Sequence, residues 1–286
     1  MQVHRYREPA SFLTRAESFL LRAEAEHQLF LAVAGTGDAR PALIGDDGYL
    51  ATVEKDTDVV ACAVRTPPFG VVISRIEPGA LRPLIDDLSL KYPTLPSAFG
   101  PEPDITHFVN AWRDRFGNTV RTVMRQRTFE ARQVRRPERQ APGSLRVAEE
   151  TDLPTLEAWS KVFHAEANPR HPIDPVQAIR EHIASKHAYV WIDGGLACLA
   201  VTSRRSAHGA TISIVYTPPV RRNRGYASAC VSALTQLVLD RGAGVCRIST
   251  DLSNPTPNAI YPALGYVPAC DMTLYDMAAV AVAEGA

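Results

Sequence analysis

Hydrophobic side chains in the first part of the chain recur first with a helical and then with a strand-like period. Positions 12, 13, 16, 19, 20 and 23 are apolar, the spacing of one helix face, and Ser11 is a suitable N-cap. Alternating or continuous apolar runs then indicate strands, and two longer periodic runs indicate helices. The pattern predicts strands at 27–34, 49–56, 59–66, 70–76 and 119–134, with helices at 80–92 and 105–117.

The second part of the chain repeats this order of elements. Asp174 is a suitable N-cap, and Pro175 occupies the first helical position after it. The pattern predicts strands at 144–151, 187–193, 195–204, 210–218, 245–252 and 269–277, with helices at 152–167, 174–185, 225–242 and 256–265. Both parts place helices first, then a strand meander, then helix and strand. We therefore expect an internal duplication of a mixed α/β (α+β) fold.

One segment separates the two parts. Residues 135–144, RRPERQAPGS, are charged, contain two prolines and a glycine, and have no apolar period, which is typical of a linker. The sequence therefore predicts a domain at 1–134, a linker at 135–144 and a second domain at 145–286. Each domain has an ordinary size.

Composition narrows the class of protein. The chain of 286 residues is 45% hydrophobic and 22% charged, with a formal net charge of zero, which disfavours a nucleic-acid partner. The five cysteines form no C-x-x-C pair, so we expect core thiols and no metal site. The N-terminus lacks the apolar core of a signal peptide, and no run is long enough to span a membrane. We expect a cytoplasmic protein without a membrane partner, either a monomer or a homodimer.

The strongest local signal follows the strand at 210–218. Arg222, Asn223, Arg224 and Gly225 precede an apolar helical pattern that opens with Tyr226, Ala227 and Ser228. A helix start presents free N–H groups and a partial positive charge, and small residues allow close approach by an anion. Arginines add charge-assisted hydrogen bonds to phosphate. The segment predicts a diphosphate cradle; the alternative is a solvated basic helix entry. It matches neither the P-loop nor the dinucleotide fingerprint.

These residues resemble a known family. The run from Arg222 to Ala227 is similar to the Q/R-x-x-G-x-G/A motif of the GCN5-related N-acetyltransferases (GNAT family). Residues 254–266, NPTPNAIYPALGY, resemble the ending of that family, with two asparagines, a tyrosine and a Gly-[Phe/Tyr] pair. The resemblance covers residues 145–278, and over the first part it rests only on element order. It implies two tandem GNAT-like domains, each a twisted mixed sheet whose two parting parallel strands admit acetyl-CoA as co-substrate.

The resemblance also implies roles for individual residues. Val215 and Tyr216 would pair through their backbone with the pantetheine arm, beside Thr217. The diphosphate would lie on N–H groups from Arg222 through Ala227, including Asn223, Arg224, Gly225 and Tyr226, with Ser228 as a further donor. Asn254 and Asn258 would contact the pantetheine or its neighbouring loop. Tyr261 would act as general acid on the leaving thiolate; the alternative is a packed aromatic ring. Pro262 cannot donate to the carbonyl of Asn258, so the helix is either one distorted turn or finds another donor.

The catalytic base is not evident from the sequence. The strand at 210–218 has no carboxylate up to Tyr216. His164, Glu166 and His171 lie in the segment that lines the acceptor pocket in the resembled family. Each either moves a proton or is a solvated loop residue, and His208 is expected in a turn.

The first domain is expected to have lost the chemistry. Glu77, Asp86 and Asp87 bring negative charge where its cradle would lie. No asparagines or tyrosine equivalent to those of 254–266 appear, and Trp112 and Phe116 are expected in the core. The chain therefore predicts a degenerate domain followed by a working one.

The resulting functional prediction is an N-acetyltransferase. It would transfer an acetyl group from acetyl-CoA to a primary amine, most simply one on a small molecule. The alternatives are a non-catalytic acyl-CoA-binding or sensing module and a protein or peptide N-acetyltransferase.

Overall fold

The structure is a computed structural model that describes residues 1–34, 47–167, 173–203 and 208–278. The described residues form two compact units, in each of which a sheet is flanked by helices. Unit 1 contains those of Met1–Thr128, Asp251–Ser253 and Ala269–Ala286, and unit 2 contains those of Phe129–Thr250 and Asn254–Pro268. The domain boundaries from the sequence stay a prediction.

The strands and helices follow the order expected from the sequence, with three differences given below. The strands are β1 Gln2–Tyr6, β2 Tyr49–Lys55, β3 Asp58–Arg65, β4 Val71–Ile73, β5 Ser97–Pro101, β6 Thr119–Ala131, β7 Ser144–Val147, β8 Ala188–Ile192, β9 Leu196–Ser203, β10 Gly209–Tyr216, β11 Val245–Asp251 and β12 Val267–Ala278. The helices are α1 Pro9–Leu21, α2 Gln28–Ala34, α3 Leu81–Lys91, α4 Asp104–Phe116, α5 Leu153–Ala167, α6 Pro175–Ala184, α7 Tyr226–Asp240 and α8 Pro255–Ala263.

The sheet of unit 1 has the order β1-β2-β3-β4-β5-β12. β1 to β4 pair antiparallel in sequence order, and β4 and β5 are parallel. The sixth strand comes from the other end of the chain, since Met272–Asp276 of β12 pair antiparallel with β5. Trp112 is fully buried in the core of this unit, as expected, whereas Phe116 is 38% exposed and its ring lies 4.7 Å from that of Trp112.

Three elements differ from the sequence prediction. The strand predicted at 27–34 is wrong, because these residues form helix α2. A continuous apolar run does not distinguish a strand from a buried helix, and here Phe30 packs with Phe12 and Leu20 of α1 in a shared apolar cluster. Strands β1 and β5 were not predicted; β5 reads SAFGP, whose glycine and proline disfavour a strand by propensity alone.

The sheet of unit 2 has the order β7-β8-β9-β10-β11. β7 to β10 pair antiparallel, and β10 and β11 are parallel. Helix α7 packs on this sheet, with Cys230, Val231 and Leu234 fully buried. The unit therefore repeats the meander followed by a parallel pair that unit 1 shows at β4 and β5.

The structure also bears on the cysteines, on groups of potential metal ligands and on the apolar character of the helices. The five cysteines are free thiols and all but Cys270 are buried. In the described part of the chain, no group of three or more His, Cys, Asp or Glu residues is placed to hold a metal ion. None of the helices in these ranges combines the length and apolar character needed to cross a bilayer.

Acidification is expected to destabilise unit 1 through His27. Its ring is buried, with Nδ1 2.9 Å from the carbonyl oxygen of Leu20 and Nε2 without a partner in the described ranges. Burial lowers the pKa of His27, because a charged ring would lose its hydration. The unfolded chain then binds this proton at higher pH than the folded chain. The free energy of unfolding should therefore fall as the pH drops below about 6.5.

Urea unfolding near neutral pH and about two units lower tests this expectation. Over that interval the wild type should lose about 1 kcal/mol more stability than His27→Gln, which cannot titrate. The exposed His107→Gln is the matched control and should keep the wild-type pH dependence. The same pH dependence in wild type and His27→Gln would show that this ring is not the group that titrates.

Candidate functional site

The two parallel strands of unit 2, β10 and β11, are paired along only about the first half of their length. β10 and β11 pair from Gly209↔Val245 to Ile212↔Ile248, whereas the strands themselves continue to Tyr216 and Asp251. Backbone N–H and C=O groups beyond Ile212 therefore face a gap instead of a neighbouring parallel strand. Such groups require hydrogen-bond partners when buried, so the gap is suited to an extended ligand that carries amides.

A bulge in β10 lies where the strands part. Ser213 pairs with Val201 and Tyr216 with Leu199, so β10 has one residue more than β9 in this interval. Ile214 within the bulge has φ of 40°, a conformation that β-branched residues rarely adopt. The bulge interrupts the regular pairing of β10 with β9 just before Val215 and Tyr216, and backbone strain of this kind concentrates at functional sites.

The turn that joins β10 to α7 contains two residues in the left-handed backbone conformation. A short 3₁₀ helix at Pro219–Arg221 is followed by Asn223 with φ of 63° and by Gly225 with φ of 83°. Gly225 is the N-cap of α7 and has no side chain to bond the first N–H groups. The N–H groups of the first turn, from Tyr226 to Ser228, therefore have no partner within the helix, which is the condition that anion binding at a helix start requires.

The three arginines of the turn have different environments. Arg222 is already engaged, because its Nε donates to the carbonyl oxygen of Thr217 at 3.0 Å and its Nη2 lies 3.5 Å from a carboxylate oxygen of Glu166. Arg221 is half-buried, and its Nη1 donates to the carbonyl oxygen of Asp193 at 3.4 Å. Arg224 is exposed and has no ion-pair partner within the described residues, so its guanidinium is available to an anion.

Tyr226 holds the helix start in place with its side chain. The ring is buried, and the hydroxyl donates to the carboxylate of Asp193 in the turn between β8 and β9. The tyrosine can therefore offer only its backbone N–H to a ligand. Asp193 was not singled out from the sequence, where nothing but its place after an apolar strand marks it.

Thr217 presents an unsatisfied hydroxyl at the end of β10. Its Oγ1 is buried and has no hydrogen-bond partner in the part of the chain that the structure describes. A buried hydroxyl without a partner carries a free-energy cost, which a ligand group beside it would remove. The atom lies between the gap and the turn, where the sequence placed it.

Tyr261 lies on α8 in the apolar core of unit 2. Its ring centroid is 5.9 Å from those of Phe129 and Tyr266, and the residue is 5% exposed. Burial raises the pKa of Tyr261, so its hydroxyl is protonated at neutral pH. A protonated hydroxyl can donate to a ligand atom, as a general acid requires.

The two asparagines are used within the protein to build α8. Asn254 is the N-cap, and its Oδ1 accepts from the N–H of Thr256 at 3.3 Å. Asn258 donates from Nδ2 to the carbonyl oxygen of Asn254 at 2.7 Å. The helix runs for nine residues with Pro262 inside it, so it is more than one distorted turn. These side chains position the segment that carries Tyr261.

Two of the candidate bases are partly committed to other contacts. His164 Nδ1 lies 2.8 Å from the carbonyl oxygen of Ser160, which leaves Nε2 as the nitrogen that can exchange a proton. Glu166 pairs with Arg222, as described above. His171 lies outside the described residues, and His208 is an exposed residue in a bend before β10, close to the turn expected.

Unit 1 lacks the features of this site at the corresponding helix, α3. Pro83 is the third residue of that helix and has no N–H to offer. The side chain of Met1 lies 3.5 Å from where a Cβ on Gly79 would stand, just before the helix. Asp87 accepts from Arg5 and Asp86 from Arg115, so both negative charges are balanced within the unit. Within the described residues, α3 thus lacks one N–H of its first turn, and its two aspartates are paired with arginines.

Solved structures resemble the chain over almost its full length. An acetyltransferase of the GNAT family from Colwellia psychrerythraea aligns with a TM-score of 0.59 and 10% identity, covering 97% of this chain and 100% of that one. A GCN5-related N-acetyltransferase from Sphaerobacter thermophilus aligns at 0.58 with 16% identity, covering 96% and 94%. A tandem GNAT protein from the clavulanic acid biosynthesis pathway aligns at 0.58 with 13% identity, covering 96% and 97%.

The chain has the GNAT fold. No family model and no curated protein matches the sequence. The resemblance read from residues 222–227 and 254–266 therefore agrees with the three-dimensional comparison at the level of fold.

Replacement of Gly225 by alanine is expected to cost stability through backbone strain alone. A Cβ there would lie 3.6 Å from the nearest atom, which is ordinary contact, but the φ of 83° is unfavourable for alanine. Gly242 after the end of α7 has φ of 92° and nothing within 4 Å of such a Cβ, so it is a matched control. Both Gly225→Ala and Gly242→Ala should lower the free energy of unfolding by about 1 kcal/mol in urea denaturation. A neutral Gly225→Ala would show that the turn is not left-handed in solution.

Proposed function

We propose that unit 2 is an acetyl-CoA-dependent N-acetyltransferase that acts on a primary amine of a small molecule. The observation that carries the proposal is the combination at β10: the strand parts from β11 and leads through a left-handed turn to the open N-terminus of α7. The gap is suited to an amide-bearing arm and the helix start to a diphosphate, and coenzyme A carries both groups on one molecule. The GNAT fold of the chain supports the same reading.

The residues present fit coenzyme A. Backbone groups of Val215 and Tyr216 would meet the pantetheine amides, and the buried Thr217 hydroxyl would gain the partner that it lacks. The N–H groups around Gly225 and the guanidinium of Arg224 would hold the diphosphate. The side chains of Asn254 and Asn258 would support this site by fixing α8.

Acetyl transfer forms an amide bond and breaks the thioester bond, so the amine loses a proton and the departing sulfur gains one. Tyr261 would give its hydroxyl proton to the sulfur and recover one afterwards. A backbone N–H near Tyr216 would stabilise negative charge on the carbonyl oxygen, because donors fixed by a strand need no reorganisation. His164, through Nε2, is the described side chain we propose for relaying the amine proton, directly or through water.

Binding of coenzyme A tests the cradle. Isothermal titration calorimetry should give a measurable affinity for the wild type and an affinity weaker by roughly tenfold or more for Gly225→Ala, because alanine is strained at the φ of 83° and its relaxation would displace the N–H groups that face the phosphate. Gly242→Ala has the same kind of strain at the other end of α7 and should bind like the wild type. Absence of binding by the wild-type protein would refute the proposed function, and equal affinities for the three proteins would refute the cradle.

Turnover tests the general acid. With acetyl-CoA and a panel of primary amines, release of free thiol by Tyr261→Phe should fall about 100-fold in kcat, while the affinity for coenzyme A changes by less than about twofold. Tyr266→Phe is the control from the same aromatic cluster, since its hydroxyl is bonded to Thr235 at 2.6 Å. It should lower stability but not kcat. An unchanged rate in Tyr261→Phe would assign this ring to packing, and binding without turnover on any amine would indicate a sensing module.

A further inference from the structure

The segment at 135–144 is attached to unit 2 near both of its ends. The N–H of Arg135 donates to the carbonyl oxygen of Leu264 at 2.8 Å, and Ser232 on α7 donates to the carbonyl oxygen of Arg135 at 3.3 Å. At the other end, Trp191 Nε1 donates to the carbonyl oxygen of Pro142 at 2.8 Å. The segment thus follows a defined path across unit 2, although its composition is that of a flexible linker.

Between these two attachments the segment passes directly over the phosphate cradle. A Cβ on Gly225 would lie 3.6 Å from the carbonyl oxygen of Arg139 and 3.7 Å from the Cβ of Ala141. The guanidinium of Arg139 reaches the same turn, with Nη1 3.4 Å from the carbonyl oxygen of Asn223. The cradle is therefore bordered by α7 on one side and by this segment on another.

The guanidinium of Arg139 retains donors for an anion. The side chain is exposed, and its contact with Asn223 uses one of the five N–H groups of a guanidinium. Within the described ranges Arg139 has no carboxylate partner, unlike Arg222, whose charge is shared with Glu166. Arg139 and Arg224 are thus two cations beside the start of α7 that have no carboxylate partner in the described ranges. Planar guanidinium groups bind phosphate oxygens in pairs, which suits a diphosphate.

We propose that Arg139 is a ligand of the coenzyme A diphosphate and that residues 139–141 form one wall of the cradle. The proposal rests on the proposed function. It adds a binding residue from outside the 222–228 motif and assigns a role in ligand recognition to a segment whose sequence predicts only a connection.

Calorimetry with coenzyme A on Arg139→Ala tests the proposal. Loss of one charge-assisted contact at an exposed site should weaken binding about 5- to 20-fold. The affinity of the variant should also depend less steeply on salt concentration than that of the wild type. Arg136→Ala is the matched control, because Arg136 is an exposed arginine on the same segment. It should bind like the wild type, and both variants should keep the wild-type Tm.

The outcomes separate this inference from the function on which it rests. If the wild type does not bind coenzyme A, the proposed function fails. If the wild type and Arg136→Ala bind and Arg139→Ala binds equally well, only the role of Arg139 is overturned. A second titration with 3′-dephospho-coenzyme A identifies the phosphate: the same loss of affinity in Arg139→Ala supports the diphosphate, and no loss overturns that assignment in favour of the 3′-phosphate.

Discussion

The separation of two parallel strands is the constraint on which the site of unit 2 depends. Beyond Ile212, β10 is no longer paired with β11, and a bulge at Ile214 follows directly. Unpaired amides inside a protein are costly, so a fold that keeps them must supply a compensating interaction. The buried hydroxyl of Thr217 adds to the same unsatisfied surface. A ligand that carries amides and then a diphosphate would satisfy both parts of this surface in one extended molecule.

The start of α7 is held by contacts that its motif does not contain. Tyr226 is tied to Asp193 in the turn between β8 and β9, and Arg221 reaches the backbone of the same residue. Arg222 spans from Thr217 to Glu166. Side chains in the motif thus serve largely to fix the turn, while its backbone remains open. These roles explain why small residues and arginines occur together in the motif. The small residues allow a ligand to approach the backbone, and the arginines either fix the turn or add positive charge.

The two units have the same order of elements but differ at this one place. In unit 1 the helix after the corresponding strand has Pro83 in its first turn and is covered beside Gly79 by Met1. Its aspartates are paired with Arg5 and Arg115 and serve structure. In the described residues, the two units thus share an order of elements and differ in the N–H groups that this helix start offers.

The sequence by itself determined the periodic helices and strands and their duplicated order, because each of these depends on neighbours within a few positions. It could not determine that 27–34 is a helix, since only packing against Phe12 and Leu20 distinguishes it from a strand. Only the tertiary structure shows that each unit contains residues from both the first and the second part of the chain. Phe129 packs on Tyr261 in unit 2, while β12 completes the sheet of unit 1. Strand pairing joins residues that are far apart in sequence, so a local sequence pattern does not determine which sheet edge a strand will pair with.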